Sequence, residues 1–423
     1  MRLTHSGWFQ RLVAIVVLML LLPAKPAHAY SLLAHINVID RSWDDSIKPL
    51  LLRRFPAATA CQLNEARAYC YGGCAIQDLG YLPFSSRFFS DLTHYVRTGD
   101  FVTALIRNAA DLDEYAFALG ALSHYAADSV GHSVAVNRVV PLLYPKLHQK
   151  YGNNITYEDN PAAHIQTEFG FDVMQFASGA YATNSFHRAI GFKISRRLLQ
   201  CAFLETYGVD ISNVLGNLDS SLGTYKIAER DVVPEMTRVA WEMKKDRLRE
   251  QSPGLAHVEC DFAGRAGEPA CQGLFREPGS FARITAVWFP IVPKVGPFKA
   301  LAFKLPNAQT EGLFLTSMNM SLDYYRQLLE YVAGGTFQLE NINLDTGVPT
   351  RPGDYRLADE AYDRLLNELA KNDFRNVTSE LQANILAFYS QNQKPSPSAN
   401  TRAWTCRYLA RLKNVRPCNA VGP

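Results

Sequence analysis

The stretch Asp113-Glu-Tyr-Ala-Phe-Ala-Leu-Gly-Ala-Leu-Ser-His-Tyr-Ala-Ala-Asp-Ser-Val-Gly-His-Ser-Val134 decides the fold. Ala, Leu, Phe and Tyr recur in it at three- and four-residue spacing without a proline, the pattern of a helix that buries a broad face. The same periodicity returns over residues 161–177, 185–207, 227–249, 309–332, 355–371 and 374–391, while runs of alternating apolar and polar residues are scarce. These features predict an all-α, multi-helix protein. Helix breakers cluster over residues 252–279, 288–306, 346–353 and 391–399, and no internal repeat is visible. The organisation expected is a helical domain over residues 30–250, a connecting region over 251–308 rich in proline and cysteine, and a helical C-terminal extension over 309–423.

Working outward, 423 residues with 48% apolar side chains give ample material for a buried core and allow one to three domains. A net charge of +3, without long single-sign runs, lacks the basic footprint of a protein that tracks duplex phosphates. Duplex nucleic acid is therefore not expected as a partner. At the N-terminus, Arg2 and Arg11 precede the apolar run Leu12–Leu22 and a small-residue site at Ala27-His28-Ala29. That run is shorter than the roughly 20 residues a span requires, so the segment reads as a signal peptide over residues 1–29, cleaved after Ala29 to leave Tyr30 first. The protein is expected in the periplasm or outside the cell.

All eight cysteines lie after residue 29, and an oxidising compartment favours disulfides. Cys260 with Cys271 and Cys406 with Cys418 are expected to pair locally; Cys61, Cys70, Cys74 and Cys201 leave three connectivities open. A zinc site at Cys70/Cys74 would need a second thiol or imidazole pair, and none is present. The proline-broken stretch Ala286–Leu305, with three lysines, suits peripheral contact with a membrane surface or a buried crossing segment.

The chemistry is carried by histidines and acids. His124 and Asp128 stand four apart, on one helix face. His132 follows about 6 Å further along the axis. A second pair, His164/Glu168, repeats the spacing within 45 residues. One His/carboxylate pair is most often an ordinary hydrogen bond. Two on apolar faces, beside Leu119, Leu122, Ala126 and Val130 and beside Phe169 and Val173, point instead to a metal. Imidazole nitrogen with carboxylate oxygen is a zinc ligand set. His148, His187 and His257 read as structural or surface residues.

The order Tyr30-Ser-Leu-Leu-Ala-His35, Gly73-Cys-Ala-Ile-Gln-Asp78, His94, His124/Asp128/His132, His164/Glu168 resembles the trinuclear-zinc superfamily of zinc-dependent phospholipase C and single-strand-specific zinc nucleases. The short gap from Asp128 to His132 and the run Leu119-Gly-Ala-Leu-Ser-His124 are most similar to the N-terminal domain of glycosylphosphatidylinositol-specific phospholipase D. The resemblance covers about residues 30–172, reaching into the helices up to 250. It implies three zinc ions. Tyr30, through its amino group and carbonyl, would hold the first with His35. Asp78, His94, His124 and Asp128 would hold a second, with Asp128 bridging to the first; His132, His164 and Glu168 would hold the third. Asp78 would also orient or deprotonate the attacking water. Two departures stand out: Tyr30 replaces the usual Trp, and Leu79 removes an aromatic choline contact of the phospholipase C branch.

The implied activity is hydrolysis of a phosphodiester, most simply of a phospholipid, by C-type or D-type cleavage. A single-strand-specific nuclease and a non-catalytic zinc- or lipid-binding protein remain the alternatives.

Overall fold

The computed structural model describes residues 32–178, 190–251, 300–335, 337–391 and 399–418. Its helices, in order, are α1 (Leu32–Ser42), α2 (Lys48–Arg54), α3 (Ala60–Gly73), α4 (Arg87–Tyr95), α5 (Thr98–Asn108), α6 (Leu112–Gly131), α7 (Asn137–Leu143), α8 (Pro145–Tyr151) and α9 (Pro161–Ser178). They continue as α10 (Arg196–Tyr207), α11 (Ile211–Leu215), α12 (Leu218–Ile227), α13 (Val233–Gln251), α14 (Ala308–Ala333), α15 (Arg356–Lys371), α16 (Ser379–Ser390) and α17 (Ala399–Lys413). Among the described residues the only sheet is a hairpin pairing β1 (Ile342–Asn343) with β2 (Val348–Pro349). The all-α expectation holds.

Helix α6 is the axis of the core. Asp111 caps it, accepting the Glu114 N–H at 2.8 Å, and from Glu114 to Ser129 every side chain is buried. Helices α3 and α14 pack along it. Against α3 the backbones touch: a Cβ on Gly120 would lie 2.1 Å from the Cys70 carbonyl oxygen, and one on Gly73 2.1 Å from that of Phe117. Glycine is thus required on both sides of this crossing. On the α14 side the Tyr325 hydroxyl donates to the Leu119 carbonyl at 2.9 Å. Fully buried Leu119, Leu122, Phe117 and Tyr325 surround these contacts, each stabilising by about 1.5–3 kcal/mol relative to exposure.

Helix α6 does not stop at Gly131. It passes through a wider π turn, His132–Val136, into α7; such turns insert a residue and re-aim the side chains that follow. Two other π turns are described: Trp43–Ile47 between α1 and α2, and Ala228–Val232, which joins α12 to α13, so the helix expected over 227–249 begins earlier and carries this irregularity.

Several expectations are corrected. Of the helix expected over 185–207, residues 185–189 lie outside the described residues, and the described helix begins at Arg196 after a non-helical stretch at 191–195, where Lys193 N–H bonds across to the Ala68 carbonyl at 2.9 Å. The helix expected from 374 starts at Ser379: Asp373 and Phe374 take left-handed backbone angles, and Thr378 supplies the cap. Cys406 and Cys418 are not bonded to each other. Both are exposed, and the Cys418 thiol donates to the Arg375 carbonyl at 2.8 Å. Cys61, Cys70, Cys74 and Cys201 are likewise unpaired, while Cys260 and Cys271 lie outside the described residues. Most of 286–305 is also outside them. Its described end is packed inward, with Ala300, Leu301 and Phe303 buried and the Lys304 ammonium donating to the Leu143 carbonyl at 2.7 Å. No described helix is long and apolar enough to cross a membrane.

Candidate metal centre

Four helices and two short turns converge beneath this core. Helix α1 brings His35, the 3-10 turn Ile76–Tyr81 brings Asp78, α4 brings His94, α6 brings His124 and Asp128, the π turn opens with His132, and α9 brings His164 and Glu168. All are less than 10% exposed, and His35, His124, Asp128 and His164 are fully buried. Tyr30 lies outside the described residues. Three residues on, α1 is anchored where the Leu33 N–H donates to the Asp172 carboxylate at 3.0 Å.

Asp128 is the hub. Its Oδ1 lies 3.3 Å from His35 Nε2 and 3.9 Å from His132 Nε2; its Oδ2 lies 3.1 Å from His124 Nε2 and 3.3 Å from His94 Nε2. His94 Nε2 is also 3.3 Å from Asp78 Oδ1. A second focus forms where Glu168 Oε1 meets His164 Nε2 at 2.9 Å and His132 Nε2 at 3.3 Å. Three groups consequently place ligand atoms within 4.8 Å of one another: His35/His124/Asp128, Asp78/His94/His124 and His132/His164/Glu168.

Whether these residues fit zinc can be tested on their hydrogen bonds. His94 Nδ1 lies 2.8 Å from the Ser90 carbonyl and His124 Nδ1 3.0 Å from that of Cys74. A carbonyl oxygen only accepts, so both Nδ1 atoms carry hydrogen and both Nε2 atoms face inward. Those two Nε2 atoms stand 3.3 Å apart. Neutral rings would set lone pair against lone pair there, so the space calls for a proton or a cation. Buried carboxylates ask for the same thing: Asp78 Oδ1 and both oxygens of Asp128 and Glu168 make no well-formed hydrogen bond. Leaving such groups buried and uncompensated costs several kcal/mol each. The donor set fits zinc.

Protonation follows from the same geometry. Burial alone lowers the pKa of His94, but the adjoining carboxylates of Asp128 and Asp78 outweigh it and raise it to about 10. For His35, burial and the neighbouring His124 prevail over the Asp128 contact, and its pKa falls below the usual 6.5. Burial opposes ionisation of Asp128, yet the charges of His124 and His132 hold its carboxyl well below the usual range.

Two acids in this region have no counterpart in the sequence reading. Asp345, in the turn of the β1–β2 hairpin, places Oδ1 3.3 Å from His132 Nδ1 and 3.7 Å from His164 Nε2. Glu229, buried in the Ala228–Val232 π turn, has its carboxyl raised well above the usual range by burial and by the charges of Asp78 and Asp172. Aromatic rings wall the centre: Tyr81 packs 5.7 Å from the His94 ring and Tyr157 5.6 Å from that of His164, centroid to centroid. Of the remaining histidines, His148 is exposed, with Nδ1 3.2 Å from the Gly152 carbonyl, while His187 and His257 lie outside the described residues.

Comparison with known proteins adds one finding. Residues 34–215 match the family described as zinc dependent phospholipase C; the segment holds every described metal-site candidate from His35 to Glu168 and excludes Glu229 and Asp345. No curated protein and no solved structure matches.

Proposed function

Because residues 34–215 match the family described as zinc dependent phospholipase C, we propose that the chain is an exported, zinc-dependent phosphodiester hydrolase acting on a phospholipid. The observation that carries the proposal is Asp128, a fully buried carboxylate with four imidazoles within 4 Å, shared between two clusters of competent ligands. In this reading residues 30–250 form the catalytic domain and 309–423 an extension covering it, and cleavage after Ala29 frees the Tyr30 amino group as a ligand.

Three zinc ions would be held by the residues named for them: Tyr30 with His35 and Asp128; Asp78, His94, His124 and Asp128; and His132, His164 and Glu168. Zinc, when bound, supplies positive charge for phosphate oxygens and lowers the pKa of a coordinated water toward about 7. The chain's own groups do the rest. Ser90 and Cys74 carbonyls hold the His94 and His124 rings with Nε2 inward. Asp78 Oδ1, which has no well-formed hydrogen bond of its own, is the atom to orient the attacking water and take its proton. Tyr81 and Tyr157, both nearly buried, restrict bulk water around the histidines.

The test is to purify the mature chain, count zinc by elemental analysis, and assay a set of phospholipid head-group classes beside a chromogenic phosphodiester, single-stranded DNA and RNA. Phospholipid turnover abolished by chelation and restored by zinc is expected, and the released product, phosphorylated head group or free head group, distinguishes C-type from D-type cleavage. Turnover of single strands but not lipid would replace this proposal with a nuclease. Three zincs with no turnover on any substrate would replace it with a binding protein.

A further inference from the structure

Asp345 lies well beyond the family segment, yet it is buried against two of that segment's histidines. Its two oxygens have different surroundings. Oδ2 accepts the Tyr157 N–H at 3.0 Å and the Tyr355 hydroxyl at 2.7 Å. Oδ1 makes no well-formed hydrogen bond and faces His132 Nδ1 and His164 Nε2. The two tyrosine contacts fix the carboxylate plane, so Oδ1 cannot turn away from the histidines.

The hairpin that carries Asp345 is docked by its backbone as well. Leu344 N–H donates to the carbonyl of His94 at 3.0 Å, and the Asn137 amide donates to the carbonyl of Asp345 at 2.7 Å. The Asn343 side chain closes the turn by accepting the Asp345 N–H at 2.9 Å. Gly347, at φ +72, lets the tip sit where a Cβ would lie 2.6 Å from the Ser129 carbonyl. The hairpin therefore touches α4, the end of α6 and the start of α7, the backbone that positions His94, Asp128 and His132.

His132 needs such a partner. It opens the π turn, and its two ring nitrogens face opposite acids: Nε2 toward Glu168 at 3.3 Å and Nδ1 toward Asp345 at 3.3 Å. One imidazole gives one lone pair to a metal through one nitrogen, and a carboxylate on the other nitrogen selects which. We infer that Asp345 is a positioning residue of the metal centre, holding His132 with Nε2 toward the His164/Glu168 focus, so that zinc loading there and docking of the 342–349 hairpin are one coupled event. The inference rests on the zinc reading of the centre and adds to it a residue from the C-terminal extension.

The experiment compares the full mature chain with Asp345→Asn, Asp345→Glu and, as a control on an exposed acid nearby, Asp354→Asn. Bound zinc is measured by elemental analysis at a series of buffered free-zinc concentrations, and hydrogen exchange of residues 342–349 is followed with and without zinc. Asp345→Asn, which keeps the shape, is expected to raise the free zinc needed for one ion per chain about 10- to 100-fold, leaving the others in place. Asp345→Glu should recover part of that loss, and Asp354→Asn should match the parent. Zinc should slow exchange in the hairpin of the parent and not of Asp345→Asn. If Asp345→Asn unfolds, Tyr355→Phe, which keeps the carboxylate but removes its hydroxyl donor, is expected to weaken the same single ion. A parent that holds zinc while Asp345→Asn, or in its place Tyr355→Phe, binds it equally overturns the inference alone. A parent that holds no zinc overturns the metal reading, and the inference with it.

Discussion

Zinc uptake by the metal-free chain should expel protons, and His94 fixes how many and over which pH range. With a pKa of about 10, His94 is protonated at pH 7, its Nε2–H directed at Asp78 and Asp128. A zinc at this position needs that lone pair, so binding at pH 7 releases about one proton from His94. Three pH units below its pKa, protonation weakens apparent affinity about 1000-fold, or about 4 kcal/mol, and each unit of rising pH recovers about tenfold. His132, whose pKa is raised well above the usual despite burial, chiefly by the charge of Asp128, adds a second proton from the third position. His35, lowered below 6.5, adds none. The assay is isothermal titration of zinc into chelator-stripped protein at pH 7 in two buffers of different ionisation enthalpy. A difference in heat corresponding to about three protons, the third from the Tyr30 amino group with an ordinary pKa of about 8, falling to about two in His94→Gln, is expected. Identical heats in the two buffers, or an affinity flat from pH 6.5 to 8.5, would refute the reasoning. The same shift governs the metal-free fold. A histidine whose folded pKa lies above its unfolded value stabilises fully below about pH 6.5 and progressively less toward pH 10, so the stripped chain should melt at falling temperatures across that window.

Other outcomes follow from single residues. Asp128→Asn should lose the two zincs proposed to share this carboxylate, and Glu168→Gln mainly one, read as metal per chain; equal losses would separate Asp128 from its proposed bridging role. One alanine added before Tyr30, in a chain otherwise processed identically, should remove the amino-terminal ligand and sharply reduce both zinc content and turnover, and unchanged values would sink that assignment. Gly120→Ala puts a Cβ 2.1 Å from the Cys70 carbonyl, so α3 and α6 must part; a loss of about 3 kcal/mol or more in denaturant midpoints is expected, with the His124–Cys74 contact loosened alongside it.

Much of this architecture is legible in the sequence because α6 is nearly pure pattern: apolar residues on every face, a capping Asp111, and ligands at the four-residue spacing that a helix stacks. His164 and Glu168 carry the same signal on α9. Asp78, His94 and His35 have no such local signature, and only their order in the chain points to them. Asp345 is hidden for a different reason. Asp345-Thr-Gly347 is an ordinary turn tripeptide, and nothing local says that tertiary packing will bring it beside His132 from 213 positions away. Glu229 reads as one more acid on a helix until the π turn buries it. Errors at helix starts have equally physical causes. Residues 191–195 match a helical period, but Lys193 spends its N–H on Ala68 of another element. The pairing expected of Cys406 and Cys418 used nearness in sequence, whereas one sits on a helix and the other on a bridge to Thr378.

The hairpin at residues 342–349 also sets an order of events. A chain grows from its N-terminus, so the helices bearing His35 to Glu168 exist well before Leu344 can grip the His94 carbonyl or Asp345 can reach His132. A product truncated before residue 342 would contain the whole family segment and still lack these contacts. The late-made hairpin thus makes the site depend on synthesis past it, since buried acids and imidazoles acquire these neighbours only in a chain that extends through Tyr355.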